Sequence, residues 1–336
     1  MKTKIAINGF GRIGRAVFKI ALENDDVEMV AINDLGDPEN LAYLLRYDTV
    51  YGRYARKVTM SDGVLRVDDK EIKVLNEREP DKLPWGEMGI DTVIESTGVF
   101  TEEEEARRHI TAGAKHVIIS APTKSEGVAT VVMGVNDKDL AGKEIVSNAS
   151  CTTNCVAPMV AVMDNAFGVE KAVMTTVHAY TATQSVVDGP AKKDFRRGRA
   201  AAANMVPSST GAAIAATKAY QPLAGKFDGV ALRVPVPVVS MSDCVLVTKK
   251  EVTVEEIVKV FEEAASNPLY EGVLAVTSEP VVSSDFIGDP HSVTVDLAMT
   301  RVVGGNLVKV MGWYDNEWGY SNRLVEQAVA IRQSAK

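Results

Sequence analysis

Ile5-Ala-Ile-Asn-Gly-Phe-Gly-Arg-Ile-Gly14, a short apolar run followed by glycines at positions 9, 11 and 14, carries the spacing G-x-G-x-x-G. The pattern alone is weak. Here it follows a strand-like run, Ile5–Ile7, and opens a helical pattern over Arg12–Glu23, with a second strand-like run at Val27–Ile32. That context reads as a nucleotide-binding βαβ unit. Gly9 makes the tight turn, Gly11 lets a pyrophosphate approach the backbone, and Gly14 lets helix pack on strand, with the anion at the helix N-terminus. Asp34 lies 20 residues beyond Gly14. A carboxylate there can bond both ribose hydroxyls and repels a 2′-phosphate, which favours NAD over NADP. The competing reading makes the glycines ordinary βα-turn punctuation and Asp34 a surface turn residue.

Outward from this stretch, strand and helix signals keep alternating: Thr92–Glu95, a helix after Thr101 with a capping box between Thr101 and Glu104, then Val117–Ser120. Such alternation predicts an α/β domain with a Rossmann-type, doubly wound parallel sheet. After residue 150 the grammar changes. A helix over Val156–Phe167 precedes a strand at Ala172–His178 and a long segment, Ala179–Pro207, rich in Arg, Ala and Gly. Apolar runs follow at Val230–Val238, Ser240–Thr248, Ser292–Ala298 and Leu307–Tyr314, and an amphipathic helix at Asn322–Ser334. These predict an α+β domain with a mostly antiparallel mixed sheet and a boundary near 148–151.

The 336 residues are 46 % hydrophobic and 24 % charged, a globular composition of a length that suits two domains. A net charge of −8 argues against nucleic acid as the primary partner. Three cysteines, Cys151, Cys155 and Cys244, are too few for a disulfide framework. No signal-peptide core stands at the N-terminus, and no apolar run suits a membrane span. A cytoplasmic protein, with no membrane partner, is expected.

The chemistry concentrates at Ala149-Ser-Cys-Thr-Thr-Asn-Cys-Val-Ala-Pro158. Cys151 lies among hydroxyl and amide side chains where an apolar helix begins. Unpaired N–H groups and the positive dipole end make a thiol there easier to ionise. A buried structural thiol is the alternative, and it suits Cys155 and Cys244 better. Of four histidines, His109 follows the acidic run Glu102–Glu105 of a solvated helix start, and His116 and His291 read as surface residues. His178, ending a strand and beginning a loop, is the best base. Arg233 sits in an apolar strand, where a lone guanidinium is costly; it serves either an anion or a structural ion pair. Ser208-Ser-Thr-Gly211 precedes the Ala-rich helix Ala212–Tyr220 and offers donors at another helix N-terminus. Arg196-Arg-Gly-Arg199 binds a phosphate or acids of another subunit.

Together with His-Ala-Tyr-Thr at 178–181, Pro-Ser-Ser-Thr-Gly at 207–211 and Trp-Tyr-Asp-Asn-Glu-Trp-Gly-Tyr-Ser at 313–321, these motifs resemble the phosphorylating glyceraldehyde-3-phosphate dehydrogenase family along the whole chain. The resemblance implies an NAD-dependent oxidation of glyceraldehyde 3-phosphate to 1,3-bisphosphoglycerate, with erythrose-4-phosphate dehydrogenase as the alternative within the family. It implies Cys151 as nucleophile and His178 as its activator. Substrate phosphate and inorganic phosphate would lie on Ser150, Thr152, Thr181, Arg197, Thr210, Gly211 and Arg233. Cofactor contacts would come from Gly9, Gly11, Arg12, Ile13, Gly14, Asp34, Arg78, Ser120 and Asn316, with no metal. It further implies a homotetramer, an NAD-binding domain over residues 1–150 with the C-terminal helix 317–336 packed back on it, and a catalytic and oligomerisation domain over 151–316. Gly189-Pro190, Thr183 and Tyr51 vary from patterns in parts of the family.

Overall fold

The computed structural model describes residues 1–191 and 194–334, so residues 192–193 of the Arg-rich segment and 335–336 of the expected last helix lie outside the described residues. The chain forms two compact units. One comprises Met1–Val131, Asp137–Ala149 and the chain from Ser321 onward; the other comprises Val132–Asn136 and Ser150–Tyr320.

In the first unit, besides a two-residue antiparallel pair, Tyr47–Asp48 with Gly52–Arg53, the strands are β1 (Thr3–Asn8), β2 (Val27–Asn33), β3 (Val58–Ser61), β4 (Val64–Val67), β5 (Lys70–Leu75), β6 (Thr92–Glu95), β7 (His116–Ile119), β8 (Ala129–Thr130) and β9 (Ile145–Ser147). They make one sheet in the order β8-β9-β7-β6-β1-β2-β5-β4-β3. Pairing is parallel from β8 to β5 and antiparallel through the β5-β4-β3 meander. Ile5, Ala6, Ile7, Val93 and Ile94 are fully buried, as central parallel strands covered on both faces must be. Helix α1 (Arg12–Glu23) follows β1 and α2 (Pro38–Arg46) follows β2, capped by the Asp37 carboxylate. Helix α3 (Glu103–Thr111) starts differently from the expected Thr101–Glu104 box. The Glu105 carboxylate reaches back to the N–H groups of Thr101 and Glu102, at 3.2 and 3.3 Å, so the cap lies one residue later. Sequence reading missed the meander, whose three strands are only four to six residues long.

The second unit is built on α4 (Cys151–Phe167), whose Val156, Met159, Val160 and Met163 are buried against a mixed sheet. Its strands are β10 (Val169–Ala179), β11 (Val206–Ser209), β12 (Phe227–Val234), β13 (Ser240–Thr248), β14 (Leu274–Thr277), β15 (Val293–Asp296) and β16 (Leu307–Tyr314), with a short strand, Arg301–Val303, antiparallel to β16 off the main path. The order is β11-β12-β10-β13-β16-β15-β14. The β10-β12 and β14-β15 pairs are parallel and the others antiparallel. Helix α5 (Ala212–Ala219) packs beside α4, and α6 (Val254–Ala265) begins at a Thr253–Glu256 capping box. The run expected over Val230–Val238 ends at Val234, since Pro235 and Pro237 have no N–H for a ladder. Helix α4 begins at Cys151, where the sequence places a helix start, and runs on through Val156–Phe167; the Ser150 hydroxyl caps it by accepting the Thr153 N–H at 3.1 Å. The last helix, α7, spans Trp318–Ser334. Its Arg332 donates to the Met1 carbonyl at 2.6 Å and pairs with Asp91 at 3.3 Å.

Candidate functional site

In the first unit the sheet order reverses between β1 and β6, and a cleft of about 360 Å³ opens at the carboxyl ends of the strands. This is where doubly wound sheets bind ligands. Asn8, Gly9, Gly11, Asp34, Arg78 and Thr97 line it. Gly9 has φ +95°, and a Cβ there would lie 2.7 Å from the Thr97 nitrogen. A Cβ on Gly14 would lie 2.1 Å from the Gly9 carbonyl oxygen, whereas one on Gly11 would meet nothing of the protein within 4 Å. The chain itself requires Gly9 and Gly14. The space over Gly11 suits a group from outside, as a dinucleotide pyrophosphate requires. Asp34 accepts the Phe10 N–H and the Gly36 N–H, both at 2.7 Å, and each oxygen keeps capacity for a ribose hydroxyl. Arg12, Ile13 and Ser120 stand outside the cleft lining. Arg12 and Ile13 begin α1, where the Arg12 guanidinium pairs with Asp48 at 2.7 Å and lies over the Tyr51 ring. Ser120 follows β7, its N–H on the Glu95 carbonyl at 2.9 Å.

The second unit gathers the reactive groups. Cys151 is the first residue of α4 and is half-buried; its Sγ lies 3.5 Å from His178 Nε2. Register explains the neighbours of His178. On the parallel pair β10-β12, His178 stands opposite Arg233, so residues 55 apart in sequence become adjacent. Arg233 Nη1 lies 2.6 Å from His178 Nδ1 and donates to the Ala179 carbonyl at 3.1 Å, while Nδ1 lies 2.7 Å from that same carbonyl. A protonated Nδ1 serves the carbonyl and leaves Nε2 bare for the Cys151 proton; a bare Nδ1 accepts from Arg233 instead. Arg233 has no carboxylate partner among the described residues, which overturns the structural ion-pair reading.

The backbone bonds at the helix start do favour the thiolate, as expected, but burial outweighs them. Burial pushes Cys151 up from the usual thiol range, against the pull of the Arg233 charge and bonds at Thr152. Burial, then Arg233, push His178 down to about 3. A lone charge on either is disfavoured. Thiolate and imidazolium together, 3.5 Å apart, stabilise each other. The thiol of Cys155 is fully buried and pushed up to about 12, and Cys244 is also fully buried, as core packing requires.

Around this pair the Thr153 hydroxyl donates to the Ala212 carbonyl at 3.3 Å, tying the start of α4 to that of α5, where Gly211 is the cap and Thr210 Oγ1 accepts the Ala212 N–H. Ser150 and the Thr210–Gly211 turn are thereby brought together. Arg197 donates to the Ser209 carbonyl at 3.4 Å and lies 3.5 Å from Asp194; its charge reaches His178 and Arg233. Arg199 pairs with Asp188 at 3.0 Å. No described bond links Thr181 to the group; its hydroxyl meets Thr183 at 3.0 Å. Thr152 is buried, with its hydroxyl 2.9 Å from Tyr314. Asn316 accepts from Ser240 Oγ at 2.9 Å, and Ser240 in turn accepts the Ala179 N–H at 3.1 Å.

Sequence reading missed Tyr314, Thr176 and Ser240. The Tyr314 hydroxyl bridges Thr152 and Thr176, at 2.9 and 2.7 Å, while its ring stands edge-on to His178. Thr176 had a signal, since positions two apart on a strand share a face. Of the other histidines, His109 and His116 are buried rather than solvated. His109 is fully buried and His116 nearly so, its Nδ1 on the Lys143 carbonyl; His291 is half-buried and pairs with Asp289 at 2.7 Å. No group of three or more His, Cys, Asp or Glu suited to a metal occurs among the described residues.

Residues 3–103 match the family described as "Glyceraldehyde 3-phosphate dehydrogenase, NAD binding domain", and residues 150–316 match its "C-terminal domain". The chain is 53 % identical over 334 residues to glyceraldehyde-3-phosphate dehydrogenase of Streptomyces coelicolor, covering 98 % of this chain and 99 % of that one. It is 51 % identical over 333 residues to the enzyme of the same name from Geobacillus stearothermophilus, covering 98 % of each. With glycine turn, cysteine–imidazole pair and lone arginine all inside the matched spans, the chain belongs to the glyceraldehyde-3-phosphate dehydrogenase family.

Proposed function

We propose that the protein oxidises glyceraldehyde 3-phosphate to 1,3-bisphosphoglycerate, using NAD and inorganic phosphate. The carrying observation is Cys151 Sγ at 3.5 Å from His178 Nε2. His178 takes the thiol proton, and Cys151 sulfur forms a bond to the aldehyde carbon. The oxygen takes that proton back from His178 as the hemithioacetal forms; held by the Cys151 N–H and His178, it returns the proton to His178 Nε2 as hydride leaves the carbon. NAD, when bound, supplies the hydride acceptor, held by the Gly9–Gly14 turn and Asp34, with Arg12, Ile13, Arg78, Ser120 and Asn316 as further contacts. The thioester on Cys151 is cleaved by inorganic phosphate, which bonds to the acyl carbon as the Cys151 thiolate leaves.

Arg233, without a carboxylate partner, takes a phosphate, aided by Ser150, Thr152, Thr181, Arg197, Thr210 and Gly211. An anion that draws Arg233 off Nδ1 also favours the His178 form that accepts a proton. Residues 151–316 form the catalytic and oligomerisation domain of a homotetramer; Val173 and Val230, each more than half exposed on the sheet, support assembly through that face. Three free cysteines, one of them needed as a thiol, support a reducing, cytoplasmic location. Among the described residues no helix is long and apolar enough to cross a membrane.

The test is NADH absorbance on mixing protein, NAD and glyceraldehyde 3-phosphate, with phosphate present and then omitted. Sustained turnover should require phosphate, and Cys151→Ser should abolish it while NAD binding survives. Turnover by the serine variant would refute the scheme.

A further inference from the structure

Beneath the cleft of the first unit lies a buried polar chain that no catalytic step uses. Trp85, His109, Glu95 and Asn8 are all at most 2 % exposed. Trp85 Nε1 lies 3.0 Å from His109 Nδ1. An indole N–H only donates, so Nδ1 is an acceptor and the ring proton sits on Nε2. That Nε2 lies 3.1 Å from Glu95 Oε2, to which Asn8 Nδ2 also donates at 2.6 Å. The other oxygen, Oε1, accepts the Thr97 N–H at 2.8 Å and its hydroxyl. Glu95 is thus held by neutral donors, with no lysine or arginine paired to it among the described residues.

Both ends of the chain are fixed in direction. At one end the indole prevents His109 from exchanging tautomers. At the other, Asn8 Oδ1 accepts from Asn33 Nδ2 at 2.7 Å, and Asn33 is oriented by the N–H and carbonyl of Glu77, each at 2.9 Å. No amide can flip without setting donor against donor. Asn8, Asn33 and Glu95 are the last residues of β1, β2 and β6, and Gly9 and Thr97 above them line the cleft. The Ser96 hydroxyl donates to the Gly9 carbonyl at 2.7 Å and closes the gap.

We propose that Glu95, His109 and Trp85 are positioning residues of the dinucleotide site, locking Asn8 and Thr97 so that the glycine turn stays packed against the Ser96–Thr97 wall and the cleft above them keeps the shape an adenosine diphosphate ribose moiety needs. The proposal rests on the NAD reading above. Glu95→Gln sets its amide N–H2 against either the Asn8–His109 donors or those of Thr97. No tautomer or flip relieves this, so the wall must move.

The test is calorimetric binding of ADP-ribose to the full-length protein, with steady-state kinetics beside it. Glu95→Gln should raise the ADP-ribose Kd and the KM for NAD about tenfold. It should leave kcat at saturating NAD within about twofold and the KM for the aldehyde unchanged. Trp85→Phe keeps the packing and removes only the indole donor; it should raise the ADP-ribose Kd about threefold, and it carries the test if Glu95→Gln does not fold. Ile94→Val, a buried neighbour in β6, should lower the melting temperature without moving the Kd. An unchanged ADP-ribose Kd in folded relay variants, an equal rise in Ile94→Val, or a loss confined to kcat would overturn the proposal. Failure of the catalytic reading would show separately, as absent NADH formation by the unsubstituted protein with ADP-ribose binding intact.

Discussion

Replacing His178 by asparagine removes the base and the countercharge of Cys151 in one step, and the structure sets the size of the effect. At 3.5 Å, thiolate and imidazolium attract by about 5 kcal/mol at an effective dielectric constant of about 20. That corresponds to roughly 3.5 pH units of thiol ionisation. Burial pushes the Cys151 thiol up, and in His178→Asn Arg233 and the bonds at Thr152 and at the Cys151 backbone are left to oppose it. The variant thiol therefore titrates higher, and its thiolate is lost sooner as pH falls. The assay is the rate of iodoacetamide alkylation of ligand-free protein from pH 5 to 10, read at Cys151 by mass spectrometry. Unsubstituted protein should react faster at neutral pH, because His178 can take the thiol proton as the sulfur attacks. In His178→Asn the rate at pH 7 should fall by at least about 100-fold and keep climbing above pH 9. Superimposable profiles would refute the reasoning: the sulfur would then owe nothing to the imidazole, and the proposed proton transfer would fail with it.

Tyr314→Phe keeps the ring against His178 but leaves the hydroxyls of Thr152 and Thr176 without their bridge. A stability loss of about 2 kcal/mol is expected from urea unfolding, two buried hydrogen bonds at about 1 kcal/mol each. The two loop glycines should separate cleanly. Gly11→Ala meets nothing of the protein within 4 Å, so it should leave the melting temperature alone while weakening NAD binding at least about tenfold. Gly14→Ala places a Cβ 2.1 Å from the Gly9 carbonyl oxygen and should cost stability as well as binding, by about 2 kcal/mol or more.

What the sequence determined by itself is what short-range forces decide. The turn Gly9–Gly14 with α1 at Arg12–Glu23, the strand Thr92–Glu95, and Ser240–Thr248 and Leu307–Tyr314 stand as their local patterns predict, because side-chain period, glycine sterics and proline punctuation act over a few residues. The candidacy of Cys151, His178 and Arg233 was legible too, from residue types out of place in their surroundings. Tertiary structure alone decided which of these meet and in what charge state. The β10-β12 register put Arg233 beside His178, and the start of α4 put Cys151 before it. His109 had looked like part of a solvated helix and instead lies dry beneath the cleft, bonded to Trp85 and Glu95. Desolvation raised the thiol that the helix start alone would have lowered. Strand register, burial and long-range hydrogen bonds depend on partners tens of residues away, and a window of local sequence carries no record of them.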